Sequence, residues 1–107
     1  MNKALSKKVK YLNFQEISEL LCQKRPEILD KYKILIIGIF GSYSRNEQRK
    51  NSDIDILISY GEDATLFNKF ALMEFLEALF LTKVDLVAEK YIKPTYRDSI
   101  MSDLKRI

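Results

Sequence analysis

Two carboxylates spaced two residues apart follow a glycine and a serine in this chain. Asp53 and Asp55 flank one isoleucine, and ten residues separate them from Gly41-Ser42. Side chains two apart on a strand point to the same face, so the two carboxylates project together. At about 4 Å they repel by about 1 kcal/mol in water and by about 4 kcal/mol at an effective dielectric of 20. The pair therefore needs a cation, and Mg²⁺ fits because it combines carboxylates with water and substrate phosphates.

The glycine and serine predict a place for phosphate. An apolar, β-branched run over residues 33–40 predicts a strand that ends at Gly41, where the missing Cβ lets a ligand approach the backbone. We expect a short helix from Tyr43 to Gln48, whose first N–H groups would suit a phosphate. Taken alone, a D-x-D is more often an exposed strand face and a Gly-Ser more often a capped turn. Together and in this order they predict a metal-nucleotide site.

A third acidic residue stands inside a later apolar strand. Asp85 alternates with Val84 and Leu86, so it faces away from them. If this strand neighbours the one with Asp53 and Asp55, the three carboxylates share one face of the sheet. An exposed strand position would explain Asp85 alone, but the same alternation on both strands favours one apolar face and one acidic face.

These motifs resemble the minimal nucleotidyltransferases, small members of the superfamily that includes DNA polymerase β and kanamycin nucleotidyltransferase. That family has a strand ending in Gly-Ser, a strand with Asp-x-Asp, and a later strand with a third aspartate. The matching segments here are residues 40–47, 51–58 and 84–87, and residues 93–100 resemble the segment leading into the family's last helix. Ser44 and Asn46 depart from the Ala and Gly common in the family. Asn tolerates left-handed backbone angles, so we expect the turn to survive.

The resemblance implies a mechanism in which AMP is transferred from ATP to a hydroxyl group and pyrophosphate is released, with two Mg²⁺ ions. It implies that Asp53 and Asp55 ligate Mg²⁺, while Asp85 holds the second metal and acts as general base.

The same resemblance implies roles in nucleotide binding. The backbone at Gly41 and Ser42, with the Ser42 hydroxyl, would hold the β- and γ-phosphates. Arg45 or Arg49 would steady the pyrophosphate, although exposed arginines are more often simply solvated.

The resemblance also implies a partner. Proteins of this size in the family act as antitoxins of HEPN-domain toxin ribonucleases and transfer AMP onto a tyrosine of the toxin. Two alternatives stay open: an antitoxin that neutralises by binding with weak or no catalysis, and transfer to a small molecule such as an aminoglycoside.

Composition sets limits on the other classes of function. The chain of 107 residues is 47% hydrophobic and 31% charged, as expected of one globular domain. Its net charge of +3 is too mild to indicate direct nucleic-acid binding. With no histidine and one cysteine, it has no histidine-based zinc site, no Ser-His or Cys-His pair and no internal disulfide. The absence of a membrane-spanning run and of a signal peptide predicts a cytoplasmic location.

We divide the chain into a basic N-terminal extension, residues 1–12, and a single domain, residues 13–107. The extension carries the only basic run, formed by Lys3, Lys7, Lys8 and Lys10.

The remaining segments predict helices. Asn13 and Glu16 form a capping-box pattern that opens the first helix, in which Cys22 is expected to pack and which Pro26 is expected to end. A long helix is predicted from Asp63 or Ala64 to Leu81, and Pro94 suits the first turn of a last helix. The stripe of the long helix is predicted to be Leu66, Phe70, Met73, Leu76 and Phe80, and that of the last helix Tyr96, Ile100 and Leu104.

The predicted fold is α/β, of the two-layer α+β type. It is a nucleotidyltransferase fold with a small mixed sheet, helices mainly on one face and the acidic site on the other.

Overall fold

The computed structural model of the chain describes residues 12–107. These residues form a four-stranded mixed sheet with helices packed against it. The four lysines of the basic run lie outside the described residues, and no helix within them is long and apolar enough to cross a membrane. In chain order the elements are α1 Phe14–Tyr32, β1 Ile34–Phe40, β2 Ile54–Tyr60, α2 Leu66–Phe80, β3 Val84–Ala88, a 3₁₀ turn Glu89–Tyr91, α3 Pro94–Asp103 and β4 Lys105–Arg106.

Helix α1 begins as the sequence predicts and ends later. Asn13 caps it, accepting a hydrogen bond from the Glu16 amide while the Glu16 carboxylate accepts one from the Asn13 amide. The prediction that Pro26 ends the helix is wrong, because the helix continues through it to Tyr32. Burial of Ile28 and Tyr32, on the same stripe as earlier core residues, offsets the backbone hydrogen bond that proline removes.

Cys22 is exposed, so the prediction that it packs in the core is also wrong. The buried stripe of α1 is formed by Ile17, Leu21, Ile28 and Tyr32. Cys22 follows Leu21 directly and so points about 100° away from that stripe.

The sheet has the strand order β3-β2-β1-β4. Strand β1 runs antiparallel to both β2 and β4, whereas β2 and β3 are parallel. The end of β1 and the starts of β2 and β3 therefore lie at the same edge of the sheet. We call this edge the site edge, and it is where all the predicted catalytic residues occur.

One face of the sheet packs against α1 and α2. The core there includes the fully buried Ile54, Ile56 and Ile58 of β2 and Leu72 and Leu76 of α2. The opposite face, which we call the site face, carries Asp55 and Asp85 because they alternate with the core residues on their strands. The two-layer architecture with helices mainly on one face is as predicted.

Strand β1 contains a bulge that changes which residues face the core. Its register against β2 shifts between Ile36 and Gly38. Ile34 and Ile36 lie in the core before the bulge, and Ile39 lies there after it. The extra residue therefore turns Phe40 toward the site face, where it pairs with Asp55.

Helix α2 uses a different stripe from the predicted one. Its buried residues are Leu72, Leu76 and Phe80, and Thr65 caps its start. Leu66 and Phe70, which were predicted to be core, are 60% and 53% exposed. This helix carries apolar residues on nearly every side, so periodicity alone does not identify the packed side.

The C-terminal segment adds structure that the sequence did not predict. Helix α3 has Pro94 in its first turn, as expected, but it buries no residue completely. Strand β4 then pairs with β1 at Gly38 and Ile39. A Cβ on Gly38 would lie 2.4 Å from the Lys105 carbonyl oxygen, so glycine permits this close approach.

We therefore expect Gly38→Ala to displace β4 and to lower the free energy of unfolding by about 1–3 kcal/mol, as overpacking does. Amide hydrogen exchange would report the change at Ile107, whose N–H donates to the Ile37 carbonyl. Ala78→Gly, at an exposed position of α2, is a control that alters backbone freedom without touching β4. Unchanged exchange at Ile107 in Gly38→Ala would contradict the explanation.

Candidate active site

Three residues form one row across the site edge. The register pairs Phe40 of β1 with Asp55 of β2, and Asp55 with Asp85 of β3. Neighbouring strands lie about 4.8 Å apart, so Asp55 and Asp85 are adjacent on the same face. The sequence predicted this proximity only on the condition that β2 and β3 are neighbours, and the sheet order meets the condition.

The pKa of Asp55 is affected both by burial and by the neighbouring charges. Its pKa is raised to about 6, first by burial and then by the charges of Asp85 and Asp53, while Arg45 lowers it. Asp55 is partly buried, whereas Asp53 and Asp85 are exposed. All three carboxylates are therefore close enough to interact, and Asp55 is the one most strongly affected by the lack of water.

The carboxylates are near one another without enclosing an ion site. Asp53 lies just before β2, which begins at Ile54, so it is outside the strand in which it was predicted. Among residues 12–107, no three acidic, histidine or cysteine side chains are already gathered as a group that could hold a metal ion. Any ion bound here would need water or substrate oxygens to complete its ligands, which is usual for Mg²⁺.

Gly41 lies directly against the central carboxylate. It has a φ of +76°, and a Cβ placed on it would lie 2.2 Å from Asp55 Oδ2. Both the backbone angle and the available space therefore favour glycine at this position. Ser42 follows it in a tight turn. The Gly-Ser motif is therefore in contact with Asp55, the central member of the carboxylate row formed by Asp53, Asp55 and Asp85.

The segment after Gly41 is a turn, and the helix predicted from Tyr43 to Gln48 does not form. The amides of Ser44 and Arg45 donate to the Gly41 carbonyl, and the Glu47 amide donates to the Ser42 carbonyl at 2.9 Å. Asn46 has a φ of +59°, which ends the helical path after one turn. The expectation that asparagine would tolerate a left-handed conformation here is confirmed.

Ser44 holds this turn to the C-terminal segment. It is 1% exposed, and its hydroxyl lies 3.0 Å from the Gly41 carbonyl oxygen and 2.8 Å from that of Asp103. The sequence identified Ser44 only as a small residue in place of alanine. Its second partner is 59 residues away, so no local pattern indicated this role.

The two candidate arginines have different surroundings. Arg45 donates from Nε to Glu47 at 2.9 Å and from Nη1 to the Asp103 carboxylate, and these hydrogen bonds raise its pKa. Arg49 is exposed and forms no ion pair within the described residues. Arg45 is therefore engaged in holding the turn, whereas the side chain of Arg49 is available.

Two recesses adjoin the carboxylates, and neither was predicted from sequence. One lies below Asp53 and is also lined by Lys50 and Lys83. The other is a cavity of about 640 Å³ that begins at Asp85 and extends along β3, which we call the β3 cavity. Both depend on segments distant in sequence, so only the folded chain brings their lining residues together.

The raised pKa predicts how stability depends on pH without divalent ions. The folded chain holds the Asp55 proton more tightly than the unfolded chain, so stability falls as the pH rises from about 4 to about 6. The full shift corresponds to about 3 kcal/mol, and partial solvent exposure reduces the expected effect to about 1–2 kcal/mol.

Asp55→Asn removes the free-energy cost of ionising this partly buried carboxyl group. We expect the variant to be more stable than the wild type by about 1–2 kcal/mol at pH 8 in a chelator, with the gain vanishing near pH 4. Denaturant unfolding across this pH range is the measurement. Asp30→Asn, at an exposed position of α1, should show no such trend. A gain that persists at pH 4 would contradict the electrostatic explanation.

Comparisons with known proteins agree with this geometry. The family model described as polymerase beta nucleotidyltransferase matches residues 23–107. A protein of Methanocaldococcus jannaschii, provisionally named a protein adenylyltransferase, is 46% identical over 90 residues, which are 83% of this chain and 92% of that protein. Protein adenylyltransferase MntA of Thermococcus cleftensis is 33% identical over 93 residues, which are 87% of this chain and 94% of MntA.

A solved structure shares the fold. A crystal structure of a toxin-antitoxin with AMP-PNP is 28% identical, with a TM-score of 0.64 over 89% of this chain and 72% of that chain. The family match covers most of the sequence and includes every residue of the carboxylate row. This chain belongs to the polymerase beta family of nucleotidyltransferases.

Proposed function

We propose that this protein is a Mg²⁺-dependent adenylyltransferase that moves AMP from ATP onto a hydroxyl group of a partner protein. The acceptor we propose is a tyrosine of a HEPN-domain toxin, so that the protein acts as the antitoxin. The location we propose is the cytoplasm, where ATP, the proposed donor, is available.

The observation that carries the proposal is the order of groups along the site edge. The Gly41 turn follows β1, Asp55 is the second residue of β2, and Asp85 is the second residue of β3. An in-line displacement needs three positions in sequence: the leaving group, the phosphorus and the attacking oxygen. The three strands supply one candidate contact for each of these positions.

The turn suits the leaving pyrophosphate. Within the described residues, the amides of Ser42 and Tyr43 donate no hydrogen bond, so they are free to donate to phosphate oxygens. The Ser42 hydroxyl is a further donor beside them. Gly41 brings this turn against Asp55. With the β- and γ-phosphates held by the turn, the α-phosphate would lie beside the Asp55 carboxylate.

The three carboxylates fit Mg²⁺ because they offer only oxygen donors and because their charges act together on Asp55. Asp53 and Asp55 would hold one ion and Asp85 would share the second. When bound, the ions would neutralise the triphosphate and stabilise the charge that develops on the attacking and leaving oxygens.

The role proposed for Asp85 is to accept the proton of the attacking hydroxyl. The acceptor oxygen forms a bond to the α-phosphorus, the bond from that phosphorus to the β-bridging oxygen breaks, and pyrophosphate leaves with the bonding electrons. The hydroxyl proton passes to the Asp85 carboxylate. Asp85 is exposed at its edge strand, so an acceptor carried by another protein can reach it.

Relatives support the choice of acceptor. A relative with 33% identity is named protein adenylyltransferase MntA, and a toxin-antitoxin of the same fold was crystallised with an ATP analogue. The carboxylates that catalysis requires are all present in this chain, which favours an active enzyme over an antitoxin that only binds.

Replacing Asp53 tests the proposal. We expect Asp53→Asn to reduce AMP transfer by more than about 100-fold, because even outer-shell partners of metal ligands cause losses of 10–100-fold. The measurement is intact-protein mass spectrometry of the co-purified toxin after incubation with ATP and Mg²⁺. Asp30→Asn is the control and should retain wild-type transfer.

Co-expression with the toxin separates catalysis from neutralisation by binding. An Asp53→Ala, Asp55→Ala double variant that protects cells fully would show that transfer is unnecessary for antitoxin activity. AMP found on a small molecule and never on the toxin would contradict the proposed acceptor.

The arginines give a second test. We expect Arg49→Ala to weaken ATP binding by about tenfold, the loss of one charge-assisted hydrogen bond, with an unchanged melting temperature. Arg45→Ala should instead lower the melting temperature, because Arg45 links the turn to Asp103. Calorimetric titration with AMP-PNP and thermal unfolding of both variants measure these effects. The reverse pattern would exchange the roles assigned to the two residues.

A further inference from the structure

The β3 cavity runs along β3 from Asp85, at the site edge, to the opposite end of the strand. It occupies about 640 Å³ between the first turn of α2, strand β3 and the 3₁₀ turn. Asp85 belongs to both the row and the cavity lining. The lining of the cavity includes Tyr60, Leu66, Lys69, Asp85, Val87 and Tyr91.

The strand order determines which substrate reaches this cavity. The Gly41 turn, Asp55 and Asp85 lie in that order across the sheet, and the cavity begins at Asp85 and extends along β3 away from the site edge. In an in-line displacement the attacking oxygen is opposite the leaving group. If pyrophosphate leaves on the side of Gly41, the acceptor approaches past Asp85, and the group that carries its hydroxyl occupies the cavity.

The lining indicates the chemical class of that group. Tyr60 and Tyr91 meet edge to face, with ring centroids 6.2 Å apart. Leu66 and Val87 add apolar surface, which favours a flat aromatic ring over a heavily hydrated sugar or polyamine. Lys69 gives the lining one cation, which favours the negative charge that a phenol oxygen gains as it loses its proton.

From this arrangement we propose that the β3 cavity receives the side chain of the acceptor tyrosine, and that Leu66, Lys69 and Tyr91 select a phenol over an aliphatic hydroxyl. The proposal rests on the function proposed above. It assigns these three residues to acceptor specificity, separate from nucleotide binding by the Gly41 turn.

Two variants test the cavity without disturbing the core. Leu66 and Tyr91 are 60% and 68% exposed, so a Leu66→Ala, Tyr91→Ala double variant should fold normally. Lys69→Ala removes the cation. The matched controls are Phe67→Ala, on the same turn of α2 and 85% exposed, and Lys90→Ala, next to Tyr91; neither residue lines the cavity.

The acceptors are a peptide containing the modified tyrosine of the toxin and the same peptide with serine in its place. Wild-type protein should prefer the tyrosine peptide. We expect the double variant to raise KM for that peptide about tenfold and to reduce the tyrosine-to-serine ratio of kcat/KM by a similar factor. Lys69→Ala should lower kcat for the tyrosine peptide, and AMP-PNP affinity should stay within about twofold in both variants.

Other outcomes overturn the inference. A parallel loss of AMP-PNP affinity would show that the cavity holds the nucleobase. Equal losses in the control variants would assign the effect to general docking of the partner, and unchanged kinetics in both cavity variants would exclude the cavity from acceptor binding. Failure of the wild-type protein to transfer AMP to the toxin would instead overturn the proposed function, and the inference with it.

Discussion

The structure depends on holding like charges side by side at one edge of a sheet. Asp55 and Asp85 are direct neighbours on parallel strands, an arrangement that destabilises a sheet when both are ionised. Burial raises the pKa of Asp55 even more than either neighbouring charge does. The fold tolerates this because β2 buries three isoleucines, each contributing about 1.5–3 kcal/mol. The core therefore supports a site that is unfavourable by itself and that a cation or a proton would relieve.

The turn after β1 keeps that unfavourable charge in place without cancelling it. Arg45 lowers the pKa of Asp55, but its guanidinium is exposed and already bonded to Glu47 and Asp103. Ser44 joins the same turn to the end of α3 through a buried hydroxyl. The C-terminal segment thus positions the turn mechanically. The row keeps the negative charge that a divalent ion requires.

Local patterns predicted the elements, while distant contacts determined how they pack. The capping box at Asn13 and the alternation along β2 depend on residues a few positions apart, and both were predicted from sequence. The packed side of α2 was not, since Leu66 and Leu72 are equally apolar and only the position of the sheet decides between them. The helix expected after Ser42 was also wrong, because the left-handed Asn46 stops it after one turn.

The residue types of the site could be predicted from the sequence, but the backbone geometry that brings them together could not. The residue types identified the row, yet a helical or strand period carries no information about the bulge in β1. Ile36 and Ile39 both face the core only because one extra residue lies between them, and a shift by one residue reverses every later side chain. Without the bulge Phe40 would point into the core, and the turn at Gly41 would begin on the wrong face. The extra residue in β1, Ile37, therefore determines whether the phosphate turn meets Asp55 at all, whereas Gly38 beside it permits the close approach of β4.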